Sequence, residues 1–238
     1  MIKLLFVEDD EHCAYAVQGG LELFDIYDIR RASNGKEALD IYDEFCPDVV
    51  VSDVEMPGMN GFELAQSIRS KSRAVVLLLA TGLVTPKDVD QGYKIGIDEY
   101  VKKPYIANEL HQRIQAILRR TTSVVKTSSE DSGNTKTQSV GNYLYDVEAG
   151  TLIHEGKISQ KLTPLESALL RLLLENKNQL MERSEILKQL WEKDDPAFAS
   201  RSLDVFVSKL RSYLSKDAAV SIETVRNKGL RLIAKVKN

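Results

Sequence analysis

The sequence predicts two successive domains: an α/β domain on a five-stranded parallel sheet with helices on both faces, then a smaller winged helix-turn-helix. Three observations predict it. Short branched apolar runs alternate with helix-length segments over the first 120 residues, a polar Ser/Thr/Asn-rich stretch follows, and short strands, three helices and a hairpin come after it. A chain of 238 residues is long enough for two cores.

In the first part the runs are Ile2 to Val7, Asp48 to Ser52, Val75 to Ala80 and Glu99 to Lys102, with Asp28 to Ala32 as a fifth, edge-like strand. Apolar residues at helical spacing place helices near 11–24, 35–45, 60–71, 86–95 and 106–119. That alternation makes βαβ units and hence a parallel sheet. Thr121-Thr122-Ser123 and the run Ser128 to Asn134 bury too little apolar surface to fold, so residues 121–140 are expected to be a flexible linker between domains at 1–120 and 141–238. Beyond it, Tyr143 to Tyr145, Thr151 to Ile153 and Lys157-Ile158 suit a small antiparallel sheet. Thr163-Pro164-Leu165-Glu166 combines an N-cap threonine, a first-turn proline and an N3 glutamate, which starts a helix firmly. Further helices are expected near 183–191 and 200–215, then a hairpin from Ile222 to Ile233 that turns at Asn227-Lys228-Gly229.

No apolar run approaches the roughly 18 residues of a membrane span, and no basic-then-apolar signal segment opens the chain, so a cytoplasmic protein with no membrane partner is expected. Cys13 and Cys46 have no metal or redox spacing and neighbour apolar helix positions, so both are expected to be reduced and at or near the core. Three scattered histidines argue against a transition-metal site. The net charge of −3 is unevenly spread: residues 1–120 hold 14 Lys and Arg against 20 Asp and Glu, whereas residues 199–238 hold nine against three. A local basic surface is the footprint of a polyanion partner.

The chemistry-bearing residues fall at strand ends: Glu8-Asp9, Asp53, Thr81 and Lys103. In open parallel sheets these ends share one edge, so the five residues should share one pocket. A carboxylate attacks a phosphoryl donor only when metal and cations offset the charge that builds up. Magnesium suits this set, with Asp9, Asp53 and the backbone carbonyl of Glu55 as ligands and Glu8 orienting a bound water. Lys103 would pair with the phosphoryl oxygens, Thr81 would donate its hydroxyl to one of them, and Tyr100 would swing in to fill the space that Thr81 vacates. Singly, Glu8-Asp9-Asp10 could merely cap a helix, Asp53 could be a turn residue and Lys103 a surface charge. Their coincidence at successive strand ends favours the pocket.

Phe6-Val7-Glu8-Asp9-Asp10, Ser52 to Gly61, Ala80-Thr81-Gly82 and Tyr100 to Tyr105 resemble the receiver domain of two-component response regulators over residues 1–120. The resemblance implies strand order 2-1-3-4-5 and a phosphoryl group passed from a histidine kinase to Asp53, with the receiver catalysing its own phosphorylation and dephosphorylation but no other turnover. An aspartate-based phosphohydrolase is the rival chemistry, but Glu55 stands where such enzymes usually place an acid/base aspartate.

Leu162 to Glu166, Arg201 to Arg211 and Thr224-Val225-Arg226 resemble the effector domain of the OmpR/PhoB subfamily over residues 141–238. That implies double-stranded DNA as partner, with the third helix in the major groove and the wing in the adjacent minor groove. Arg201, Ser208, Lys209, Arg211, Ser212, Arg226 and Lys228 are the expected contacts, with Lys209 at base edges or nearby phosphates. Leu203, Phe206, Val207, Leu210 and Leu214 form the stripe expected to bury, although Phe206 stands where the family often carries a polar residue. The resemblance also implies a homodimer through a face bearing Asp98, Glu99, Glu109, Arg113, Arg119 and Arg120, where Val89 replaces an expected basic residue. Residues 192–198 occupy the usual RNA polymerase contact. The expected function is a phosphorylation-switched transcription factor; the alternative is a phosphorylation-independent DNA-binding regulator whose receiver serves as a dimerisation platform.

Overall fold

The computed structural model describes residues 1–82, 85–122, 137–191 and 196–234, and the chain divides into two compact units, Met1–Arg119 and Arg120–Asn238.

In the first unit β1 (Ile2–Val7), β2 (Tyr27–Ala32), β3 (Val49–Asp53), β4 (Val76–Thr81) and β5 (Glu99–Lys102) form one parallel sheet of order β2-β1-β3-β4-β5, as expected. Between them run α1 (Glu11–Glu22), α2 (Gly35–Phe45), α3 (Gly61–Lys71) and α4 (Pro86–Ile95), and α5 (Ala107–Thr122) follows β5. Alternate residues of each strand face opposite ways, and here both faces are dry. Leu4, Phe6, Val49, Val51 and Leu78 pack with Ala14, Val17 and Leu21 of α1 and Leu110, Ile114 and Ile117 of α5. Leu5, Val7 and Val50 alternate with them and are equally buried. The N-termini of α2, α3 and α4 are fixed by Asn34, Asn60 and Thr85, whose side chains accept first-turn N–H groups.

Two expectations about this unit are corrected. Cys13 is half-buried, but Cys46 is exposed; it caps α2 in the left-handed conformation, φ 50°, where the chain turns off the helix and its side chain leaves the core. Val89, which replaces an expected basic residue on the dimer face, lies on the inner side of α4 and is wholly buried.

The second unit begins at Arg120, one residue before the expected linker. Thr121 and Thr122 finish α5, while Thr137–Val140 form β6. The remainder, 123–136, lies outside the described residues. Strands β6, β7 (Tyr143–Asp146), β8 (Thr151–His154) and β9 (Lys157–Lys161) make an antiparallel sheet in chain order. Then come α6 (Pro164–Glu175), the short β10 (Met181–Glu182), α7 (Arg183–Leu190), α8 (Pro196–Tyr213) and the hairpin β11 (Val220–Val225) and β12 (Gly229–Ala234). The Thr163 capping box forms: Glu166 Oε2 accepts the Thr163 N–H at 2.9 Å, and Thr163 Oγ1 accepts that of Glu166 at 3.4 Å. Strand β10 pairs with β12, setting the hairpin beside the start of α7. Helix α8 begins earlier than its apolar stripe suggests, at Pro196. Among the described residues no helix is long and apolar enough to cross a membrane.

Candidate functional site

The C-terminal ends of β1, β3, β4 and β5 bring the expected pocket together. Each strand ends one residue before, or at, a polar group: Val7 leads to Glu8 and Asp9, β3 ends on Asp53, β4 on Thr81, and Lys102 leads to Lys103. One carboxylate oxygen from each of Glu8, Asp9 and Asp53 lies within 4.8 Å of the others. Lys103 Nζ donates to Glu8 at 2.6 and 2.9 Å and to Asp53 Oδ2 at 2.5 Å. Its backbone N–H donates to the Thr81 carbonyl at 2.8 Å, which fixes the lysine's root beside β4.

The acidic triplet is divided by role. Asp10 is the helix cap, accepting the N–H groups of His12 and Cys13 at 2.8 and 3.1 Å, and these bonds hold its carboxyl below the usual range. Glu8 is buried; burial pushes its carboxyl above the usual range although Lys103 opposes the shift. Burial works against the Lys103 charge, but hydrogen bonds to Asp53 and Glu8 outweigh it and raise its value. Asp53 is 7% exposed, and its Oδ1 accepts the Glu55 N–H at 3.1 Å. Helix α3 comes this close only because residue 61 is glycine: a Cβ there would stand 2.2 Å from the Asp53 carbonyl oxygen. Sequence reasoning missed that requirement, and also Cys13, whose Sγ lies 3.7 Å from Glu8.

The donor set is all oxygen, carboxylates grouped around a point, which fits a hard divalent cation and no soft one. Thr81 is buried, 2% exposed, at the end of β4. Tyr100 lies against α4: its hydroxyl donates to the Asp88 carbonyl at 2.5 Å, its ring meets Tyr93 edge-on at 5.6 Å, and burial drives its phenol well above the usual value.

The expected dimer face is only partly on the surface. Asp98 is 1% exposed; its Oδ2 takes the Arg69 guanidinium at 2.9 Å and the Leu77 N–H at 2.9 Å. Arg69 also donates to the Gly96 and Val75 carbonyls, so this pair ties α3 to the end of α4 and to the starts of β4 and β5, and Asp98 is structural rather than presented to a partner. Glu99 is buried on Arg113 at 2.7 Å, which also holds Glu109 at 3.2 Å, while Arg119 is exposed.

In the second unit Leu203, Phe206, Val207, Leu210 and Leu214 are buried, as their spacing requires. Phe206 packs against Trp191, ring centroids 6.0 Å apart, which is why a polar residue would not suit it here. Arg201, Asp204, Ser208, Arg211 and Ser212 form the exposed stripe of α8. Lys209 is corrected: its Nζ lies 3.0 Å from Oε1 of the fully buried Glu166, which also accepts from Tyr213, so Lys209 neutralises an interior carboxylate instead of facing bases. Arg211 donates to the Ile222 carbonyl at 2.7 Å and to Thr224 Oγ1 at 2.8 Å, bracing α8 against β11. Arg226 and Lys228 are exposed in the hairpin turn, which Asn227 closes at φ 59°. Of the expected polymerase contact, 192–195 lie outside the described residues and Pro196, Ala197 and Phe198 open α8.

A family model described as the response regulator receiver domain matches residues 4–115, and one described as the C-terminal part of transcriptional regulatory proteins matches 158–232. Transcriptional regulatory protein RprY of Bacteroides fragilis is 32% identical over 98% of this chain and 94% of its own length. Response regulator MprA of Mycobacterium bovis is 31% identical, covering 96% of each chain. The solved structure of DrrB, an OmpR/PhoB homologue of Thermotoga maritima, aligns with TM-score 0.51 and 24% identity over 99% of this chain and 100% of its own, a likeness of fold.

Proposed function

The chain belongs to the two-component response regulators of the OmpR/PhoB type, transcription regulators in which a receiver precedes a DNA-binding domain, and from that premise we propose that phosphorylation of Asp53 by a histidine kinase switches its DNA binding. The observation that carries the reading is the single cluster of Glu8, Asp9, Asp53 and Lys103.

In the transfer an Asp53 carboxylate oxygen forms a bond to phosphorus as the P–N bond of the kinase phosphohistidine breaks, its electron pair returning to the imidazole. Asp9, Asp53 and the Glu55 carbonyl, with Glu8 beside them, would hold magnesium, which when bound supplies positive charge against the oxygens of the transferring group. Lys103 bridges Glu8 and Asp53 and is placed to move its charge onto the phosphoryl group. The Thr81 hydroxyl, one strand away, would donate to a phosphoryl oxygen. Tyr100, hydrogen-bonded to the Asp88 carbonyl, would carry the change to α4 and to an α4-β5-α5 dimer face of Glu99, Glu109, Arg113 and Arg119.

Arg201, Ser208 and Ser212 on α8 would face the major groove, with Arg211 at its edge and Arg226 and Lys228 along the wing. Pairing two such domains raises the effective concentration of the second at a neighbouring half-site. This is a regulator rather than an enzyme of steady turnover, and residues 192–198 would meet RNA polymerase. The position of Tyr100, already seated on α4, favours the second reading, in which the receiver dimerises without phosphate. Intact mass after treatment with magnesium and acetyl phosphate separates them: wild type should gain one phosphoryl group and Asp53→Asn none. Dimerisation regardless of that adduct would support the second reading.

A further inference from the structure

Arg183 lies on α7, outside the recognition helix, yet its side chain spans the start of α8. Its Nη2 donates to the Ser200 carbonyl at 2.6 Å and to Ser200 Oγ at 2.8 Å, and its Nε to the same Oγ at 3.3 Å. Its Nη1 sits 2.9 Å from Asp204 Oδ1. Its backbone N–H donates to the Lys228 carbonyl in the hairpin turn at 3.0 Å. One residue therefore touches the N-terminal part of α8 and the turn of the wing, next to the Glu182–Gly229 pairing.

Asp204 is the unexpected member of this set. It shares the exposed stripe of α8 with Arg201, Ser208 and Arg211, and its side chain is 68% exposed, so a carboxylate stands on the face assigned to a polyanion. Of the other long cations on or near that stripe, Lys209 is engaged on Glu166 and Arg211 on β11, while Arg201, three residues before Asp204, is exposed. Arg183, 31% exposed, is the cation paired with Asp204. We propose that Arg183 is a positioning residue that joins α8 to the wing and masks the Asp204 carboxylate, so that the recognition face meets DNA without an uncompensated negative charge. This rests on the reading of α8 and the wing as the DNA-binding surface.

The pairing makes a signature that simple loss of packing does not share. Removing Arg183 leaves Asp204 repelling phosphates, and removing the Asp204 charge as well should relieve that repulsion. The test uses the full chain and a labelled duplex that wild type selects from a random library, titrated at several salt concentrations. Arg183→Ala is expected to weaken binding about fivefold. Asp204→Asn should bind at least as tightly as wild type, and the double variant should return to within about twofold of it. Arg183→Gln keeps an amide donor for Ser200 but no charge; it guards against misfolding and should show the same loss and the same rescue.

A double variant as weak as Arg183→Ala, with its thermal midpoint unchanged, would overturn the masking. So would a salt slope lower by about one in every variant without Arg183, because that marks a direct phosphate contact. Loss of preference for one base pair in Asp204→Asn would instead make Asp204 a base reader and also overturn it. A wild-type chain that selects no duplex would overturn the DNA-binding reading and this inference with it.

Discussion

Gly92 is a position at which the proposed link from the pocket through Tyr100 to α4 can be tested by a small perturbation. A Cβ at residue 92 would stand 2.2 Å from the Tyr100 hydroxyl and 2.8 Å from Ile97 Cδ1. Ile97 is fully buried and cannot retreat, so the tyrosine must leave. With the tyrosine seated, Gly92→Ala overpacks the site by about 1–3 kcal/mol. Alanine's better helix propensity favours the seated and unseated states alike and does not offset this. The penalty on the seated tyrosine is therefore about 1–3 kcal/mol, or roughly a tenfold fall in its population for each 1.4 kcal/mol. The assay compares phosphoryl uptake by intact mass with dimerisation by light scattering over a concentration series. Uptake should be unchanged, since Asp53 and Lys103 are untouched, while phosphorylation-dependent dimerisation weakens roughly tenfold. Adding Tyr100→Phe removes the atom of closest approach and should recover part of the loss. Wild-type dimerisation by Gly92→Ala with Tyr100 still seated would rule out this link.

Other outcomes follow from the same contacts. Asp98→Ala strands the buried Arg69 guanidinium and should lower receiver stability by about 3–5 kcal/mol in urea unfolding; unchanged stability would put Asp98 back on the surface. Lys209→Ala should cost about 3 kcal/mol by leaving the Glu166 carboxylate buried without its cation, whereas lost DNA binding at full stability would restore Lys209 as a contact. His111 stacks on Phe24 at 3.7 Å and pairs with the Tyr27 hydroxyl at 2.9 Å, and burial holds its imidazole below the ordinary 6.5. Its neutral form is favoured on folding, so its contribution is complete above pH 6.5 and declines as pH falls through that value and then through the lowered one. Thermal midpoints across that window should drop more for wild type than for His111→Phe; equal slopes would discount the histidine.

The pocket was legible because it depends on a rule that needs no distances. Polar residues placed where parallel strands end must share an edge, and Glu8, Asp9, Asp53, Thr81 and Lys103 do. The apolar stripe of α8 was legible for the same reason, since helical periodicity alone decides which face buries. What escaped depends on partners far along the chain. Asp98 looks like a surface acid until Arg69, 29 residues earlier, is seen to reach it. Lys209 looks like a free cation until Glu166, 43 residues away, is found beneath it. Thr137–Val140 carries no strand signal of its own, and its pairing with Tyr143–Asp146 makes it β6. Cys46 stands beside apolar residues, but a left-handed cap turns it outward.

In the proposed switch the chemical state of Asp53 sets the affinity for DNA. The most direct measurement takes one sample of full-length protein treated with magnesium and acetyl phosphate, and reads its intact mass and its affinity for a selected duplex together, beside Asp53→Asn. Wild type should gain a single phosphoryl group and bind at least about tenfold more tightly, and Asp53→Asn should do neither. Equal affinity in both proteins, with the adduct present on wild type, would contradict it.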